Sequence, residues 1–119
     1  MTETAAWPTE LRLKQDRRTL VVSFNSGEQY DLPAEFLRVS SPSAEVQGHS
    51  PAEHKLQYGK HDVEILGLEP VGNYAVKISF SDLHSSGIYM WDYLLLLGRD
   101  QARLWADYLA ELEAAGRSR

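Results

Sequence analysis

The sequence predicts an α+β domain: a mostly antiparallel sheet of five to six strands in hairpins, a short helix after strand three, and one or two C-terminal helices covering one face. Three observations carry that expectation. Val63, Ile65, Tyr74, Val76, Ile78 and Phe80 alternate around the turn Val71-Gly72-Asn73, the period-2 signature of a hairpin with one covered face. Leu104, Tyr108 and Leu112 recur at every fourth position, with Trp105 and Leu109 widening the stripe, as on an amphipathic helix. The length of 119 residues suffices for one hydrophobic core and is short for two.

Taken in order, residues 1–8 read as a flexible leader, 9–115 as the single domain and 116–119 as a flexible tail. Glu10 to Leu13 alternates as a short strand, and Thr19 to Phe24 is rich in β-branched residues. Lys14 to Arg18 joins them, with Arg17-Arg18 expected at a solvated hairpin tip. Asn25-Ser26-Gly27 connects to a third strand at Glu28 to Asp31, Gly27 suiting the left-handed position of a three-residue loop. Pro33 fits the start of a short helix over Ala34 to Val39, where Phe36 and Leu37 give it something to bury. The pattern then dissolves into a polar loop from Ser40 to Lys60, which holds a capping box at Ser50-Pro51-Ala52-Glu53.

After that loop, Asp62 to Glu69 and Tyr74 to Phe80 make the clearest hairpin, with Ala75, Lys77 and Ser79 facing away from the apolar row. The chain turns through Ser81-Asp82 and Ser85-Ser86-Gly87, extends at Ile88-Tyr89 and becomes apolar at Trp91. Asp92 is placed to cap a helix through Leu97 with Gly98 as its left-handed terminator, and Asp100 to cap a second from Gln101 to about Ala115.

Composition excludes several functions. A net charge of −5 with dispersed Lys and Arg argues against a nucleic-acid backbone as partner. The absence of cysteine removes disulfides, thiolate nucleophiles and thiolate metal sites. The longest apolar run, Tyr93 to Leu97, is far short of a membrane span, and the N-terminus lacks a basic segment followed by an apolar one, so a cytoplasmic location is expected. His49, His54, His61 and His84 form none of the spacings that place two metal ligands on one face. There is no G-x-S-x-G elbow, no glycine-rich phosphate loop, and nothing fixes the separation of Asp82 and Asp92. No catalytic residue, metal site or cofactor is therefore expected. Tyr89, Trp91 and Tyr93 cluster at a strand-to-helix junction with Arg38 expected nearby, a composition found at interfaces as well as in cores.

The succession YDLPAEFLRVSSPSAEVQGH, VEILGLEPVGNYAVKISFSD and HSSGIYMWDYLLLLG resembles the gamma-butyrobetaine hydroxylase-like N-terminal domain, long catalogued as a domain of unknown function. The resemblance runs from about residue 9 to 112. It implies kinship with small stand-alone bacterial proteins, with domains fused to iron–sulfur cluster carrier ATPases, and with the N-terminal domain of carnitine-biosynthesis dioxygenases. In the dioxygenases the resemblance implies a zinc knuckle made by a C-P-C-x-x-C loop after the LR pair and a later histidine. Here the loop reads Ser41-Pro42-Ser43-Ala44-Glu45-Val46 and the histidine falls on His84, so one ligand of four is retained. The dioxygenase iron and 2-oxoglutarate residues belong to a domain absent from this stretch.

The leading expectation is thus a non-catalytic accessory domain that binds a protein partner, of the iron–sulfur carrier or oxygenase kind, in a groove between the 40–60 loop and the 81–91 turn. Arg38, Ser41, Ser43, His84, Tyr89 and Trp91 are its candidate surface. The alternatives are an iron or zinc module using His84, and an enzyme acting on a small carboxylated or quaternary-ammonium metabolite through aromatic residues that cage a cation.

Overall fold

The computed structural model describes residues 6–47 and 55–119. The capping box at 50–53, His49 and His54 lie outside the described residues. Six strands form two three-stranded antiparallel sheets. The first is β1 (Pro8–Leu13), β2 (Thr19–Phe24) and β3 (Gln29–Pro33) in that order, and the second is β4 (Ile65–Val71), β5 (Ala75–Phe80) and β6 (Gly87–Met90). Among the described residues four helices accompany them: α1 (Ala34–Val39), α2 (Ala44–Gln47), α3 (Trp91–Arg99) and α4 (Gln101–Ala115).

Alternation builds each sheet and one core joins them. Leu20, Val22, Phe24 and Leu32 of the first sheet meet Ile65, Val76, Ile78, Phe80 and Tyr89 of the second, and Phe36, Leu37, Leu94 and Leu97 of the helices close the cluster. Each such side chain contributes about 1.5–3 kcal/mol of burial before its ordering entropy is set against it. The inner row of the β4–β5 hairpin is shorter than the alternation predicts. Tyr74 sits in the turn and is half exposed, whereas Ala75, expected on the wet side, is fully buried.

The two sheets are stitched by the tip of the β1–β2 hairpin. Arg17 adopts φ 61 there, its carbonyl accepts from Ile65 N at 2.7 Å, and its Nη1 donates to the carbonyls of Ile65 at 3.4 Å and Leu66 at 3.3 Å. The next carbonyl, of Arg18, accepts from Ala34 N at 2.7 Å and so fixes the start of α1. The basic pair is exposed at the hairpin tip as expected, and Arg17 in addition joins the two sheets.

Two boundaries of the C-terminal helices differ from expectation. Met90, extended at φ −68 and ψ 154, precedes the first residue of α3, and Asp92 lies within the first turn, where its charge suits the helix dipole without capping it. Gly98 does not terminate α3 but lies inside it. A Cβ at that position would stand 2.4 Å from Cδ2 of Tyr30 and 2.5 Å from its Cγ, so the glycine is a contact point between α3 and the ring of β3. Asp100 does occupy the N-cap position of α4, but its carboxylate takes Arg103 at 3.1 Å rather than a backbone N–H.

Helix α4 buries Tyr108 and Leu112 and sets Trp105 edge-on against Phe36 at 6.2 Å between ring centres, while Leu109 stays outside the apolar stripe. Residues 116–119, expected as a tail, carry contacts. Gly116 closes α4 at φ 66, and Arg119 clamps the buried carboxylate of Glu35 at 2.7 and 3.0 Å. Among the described residues no helix is long and apolar enough to cross a membrane.

Candidate functional site

Five of the six residues singled out in the sequence converge where α1 ends, α2 begins and the turn after β5 returns to β6. The geometry starts from short side chains that compete with the backbone. Ser41, just past α1, accepts from Ser43 N at 3.3 Å, and Ser43 Oγ accepts from Glu45 N at 3.2 Å, so two serine turns feed the chain into α2. Gln47 reaches back to the Ser41 carbonyl at 2.9 Å. The two serines then tie this corner to the distant turn. Ser41 Oγ lies 2.9 Å from His84 Nε2, and Ser43 Oγ lies 2.7 Å from Ser86 Oγ. Gly87 is required behind them, because a Cβ there would meet Ser41 Oγ at 2.6 Å.

His84 is held from both sides. Its Nδ1 stands 3.2 Å from Glu45 Oε2, which assigns the proton to Nδ1 and leaves Nε2 to accept from the Ser41 hydroxyl. Burial lowers its pKa, the Arg38 guanidinium lowers it further, and the Glu45 and Asp82 carboxylates oppose both, so the ring is neutral near pH 7. Asp82 is the hub of the same turn. Its Oδ2 accepts from Arg38 Nε at 2.8 Å and Lys60 Nζ at 2.6 Å, and its Oδ1 accepts from His84 N at 3.2 Å. Burial alone would raise the Asp82 pKa, but the Lys60 hydrogen bond and the Arg38 charge hold it below the usual carboxylate range. Arg38 itself is buried and its Nη1 lacks a partner among the described residues.

Beneath this cluster Tyr89 is fully buried and donates to the Leu37 carbonyl, and Tyr93 donates to the Ser40 carbonyl at 2.6 Å. Burial pushes both phenols up from their ordinary value. The turn shows solvent one conspicuous side chain. Leu83 has φ 73 and is 87% exposed, held out by the Asp82 and His84 anchors on either side of it.

Chemically, the order Ser41, His84, Glu45 repeats the contacts of a nucleophile, base and orienting acid. Access decides against that use. Ser41 is 0% exposed and its oxygen already accepts the Ser43 N–H, so an acyl group has no approach to it. Metal chemistry fits no better. Among the described residues no three His, Asp, Glu or Cys side chains are grouped to hold an ion. At the positions of the implied knuckle, Ser41, Ser43 and His84 do come together while Val46 is buried as an apolar residue; two hydroxyls, an imidazole and a methyl pair do not make a zinc site. The cluster is a polar lock between α1, α2 and β6.

Trp91, the sixth residue, stands apart from the lock. Its Nε1 donates to the Asn73 carbonyl at 2.8 Å and its backbone N to the Tyr74 carbonyl at 3.1 Å. With Ala6, Trp7, Pro8, Asn73 and Tyr74 it lines a recess of about 550 Å³. Trp7 is fixed there by exchange with Asn25, donating to its Oδ1 at 2.9 Å and accepting from its N at 2.9 Å. Among the described residues the groove beside Trp91 thus lies against the N-terminal segment and the β4–β5 turn, and not against the described parts of the 40–60 loop. Sequence reasoning missed Trp7, Tyr74, Asp82 as a clamp, Lys60, Glu45 and Ser86. The Trp7-Pro8 pair in an otherwise polar leader was the one available signal.

The class defined by this fold is a small α+β domain in which a strand-to-helix turn is tied by side chains to the loop after the first helix. A family model described as gamma-butyrobetaine hydroxylase-like, N-terminal, matches residues 11–95, and the chain belongs to that family. Two structures solved by NMR in solution are similar throughout. One is 54% identical with a TM-score of 0.81, covering 94% of this chain and 88% of its own. The other is 47% identical with a TM-score of 0.80, covering 100% and 90%. A crystal structure of a protein of unknown function from Acidithiobacillus ferrooxidans, belonging to the DUF971 family, is 35% identical with a TM-score of 0.64 over 76% of this chain and 91% of its own. No curated protein matches the chain.

Proposed function

We propose that this chain is a non-catalytic binding domain that recognises a protein partner at the aromatic recess of Trp7, Tyr74 and Trp91. One observation carries the reading: three large aromatic rings line a single concavity, none of the six lining residues among those described is charged, and Trp7 and Tyr74 are 46% and 49% exposed. Tryptophan and tyrosine supply wide, rigid contact area at small entropic cost and dominate the energetics of many interfaces. The Trp91 ring is held by its hydrogen bond to Asn73 and the backbone of Trp7 by its bonds to Asn25, so part of the ordering entropy is met before a partner arrives. The polar lock around His84 fixes the start of β6, the strand that leads into Trp91. The resemblance to domains fused to iron–sulfur cluster carriers and oxygenases makes those two classes the first partners to try.

Affinity capture from native extract, run in parallel on the wild type and on folded Trp7→Ala and Tyr74→Ala variants, tests the proposal. Reproducible partners are expected to fall by about tenfold or more with either variant, the effect of removing one anchor of about 1.4 kcal/mol or greater. Full retention of every partner by both variants overturns it.

A further inference from the structure

We infer that the edge of β6, which pairs with no other strand among the described residues, is a site for a second copy of this chain, pairing strand to strand about a two-fold axis through Ile88. The inference goes beyond the recess and does not depend on it. It starts from the register: Met90 lies opposite Ala75, and Trp91 N donates to the Tyr74 carbonyl. In an antiparallel ladder that bond marks Ala75 and Met90 as a non-hydrogen-bonded pair. Val76 with Tyr89 and Ile78 with Gly87 are then the hydrogen-bonded pairs, and Lys77 with Ile88 is again non-hydrogen-bonded. The N–H and C=O of Ile88 therefore both point away from β5, into the open edge.

That placement is self-complementary. An antiparallel two-fold pairing requires a residue to face its own copy, and a residue whose N–H and C=O both point outward forms two bonds with its equivalent. Ile88 is that residue. The next outward group, the Met90 N–H, falls opposite the Ser86 carbonyl of the other copy. The side chains agree with the backbone: Ile88 and Met90 project from the outer face, 43% and 49% exposed, and come together with their symmetry equivalents.

The other sheet edges are blunted by proline, charge or a register break and β6 is not. Strand β1 carries Pro8, Glu10, Arg12 and a register break; β3 carries Asp31 and Pro33; β4 carries Glu69, Pro70 and a register break. Proline, charge and bulges are among the means by which natural sheets discourage edge pairing, as is a short edge strand, and β6, at four residues, has only its shortness. Residues 86–90, Ser-Gly-Ile-Tyr-Met, have none of the first three. They carry no charge, and Lys77, opposite Ile88 in the ladder, is paired with Glu69 at 3.4 Å. A single short strand buries little area, which makes the pairing weak and concentration-dependent.

The test is sedimentation equilibrium of the wild type and Ile88→Lys from about 20 μM to about 1 mM, a range suited to a weak interface, with amide hydrogen exchange at both ends of it. The wild type is expected to shift from monomer towards dimer, with exchange at the Ile88 and Met90 amides slowing several-fold at high concentration. Ile88→Lys, whose side chain faces solvent and leaves the β5 ladder intact, is expected to remain monomeric. A wild type that stays monomeric across the range overturns the inference. So does a dimer that persists in both Ile88→Lys and Met90→Lys, or one in which the Ile88 amide exchanges at an unchanged rate.

Discussion

Substitution of Ser41 by alanine isolates the energetic role of the lock. The side chain is fully buried, and its oxygen serves two neighbours at once, donating to His84 Nε2 at 2.9 Å and accepting from Ser43 N at 3.3 Å. Alanine leaves the imidazole nitrogen and one backbone N–H without partners. The ring is almost wholly buried, so water does not readily replace the hydroxyl. An orphaned buried polar group costs about 1–3 kcal/mol, which sets the expected loss at about 2–4 kcal/mol for the pair, the longer Ser43 contact weighing less. For a domain of this size that corresponds to a fall in Tm of about 10 °C. Urea unfolding followed by tryptophan fluorescence, analysed as a two-state transition with an unchanged slope, measures it. A loss below about 0.5 kcal/mol would show that the Ser41 and His84 contact contributes little and that apolar packing alone positions the 81–86 turn.

Four further outcomes follow from the same geometry. The His84 pKa lies below its ordinary 6.5 in the fold, so the unfolded chain binds more protons and stability falls as pH drops from about 7 towards 5; His84→Gln is expected to flatten this part of the urea midpoint profile, and an unaltered slope would refute the assignment. Asp82 is also depressed, and Glu28 is lowered to about 2 by Arg99 and Tyr30, so a second loss is expected as pH falls below about 4.5, seen as a further drop in midpoint. Gly98→Ala gains up to about 1 kcal/mol of helix propensity but drives a methyl into the Tyr30 ring, and the expected net result is a loss of about 1–2 kcal/mol in thermal unfolding; a more stable variant would mean the ring moves freely. Leu83→Asn relieves a left-handed backbone strain of about 1 kcal/mol at an exposed position and is expected to be neutral or stabilising, with a marked loss showing that Leu83 packs against the domain.

The fold was largely legible because its signals are local. The Val76, Ile78, Phe80 alternation, the Asn25-Ser26-Gly27 turn and the Tyr108, Leu112 stripe each fall within one element, and each appears where the periodicity puts it. Failures came where a residue answers to a distant partner. Gly98 has the look of a helix terminator, yet its identity is set by the ring of Tyr30, sixty-eight positions earlier. Arg17-Arg18 lies at an exposed tip as its setting suggests, but that Arg17 also bonds to Ile65 and Leu66 in the other sheet has no local sign. Nothing in local spacing encodes such pairings.

The candidate site divides in the same way. Ser41, Ser43 and His84 were drawn together by the resemblance to a metal knuckle, and the structure places them in contact. The residues that complete the lock, Glu45, Lys60 and Asp82, come from three separate segments and carry no shared motif. Trp91 was grouped with Arg38 by composition, but it stands at the other end of β6 from the His84 turn, where it lines a recess with Trp7 and Tyr74. Alternation had assigned Tyr74 to the core, and only the position of the β4–β5 turn reveals it as a surface ring.

The most direct test of recognition at the recess is a heteronuclear NMR titration of the chain with a captured partner, following the indole N–H signals of the three tryptophans and the backbone amides. The recess predicts that shifts concentrate at Trp7, Asn73, Tyr74 and Trp91, leave the Trp105 indole unmoved, and weaken by about tenfold in affinity with Tyr74→Ala. Shifts that instead map to the 40–47 segment and the Leu83 turn, with Tyr74→Ala binding as tightly as the wild type, would contradict it.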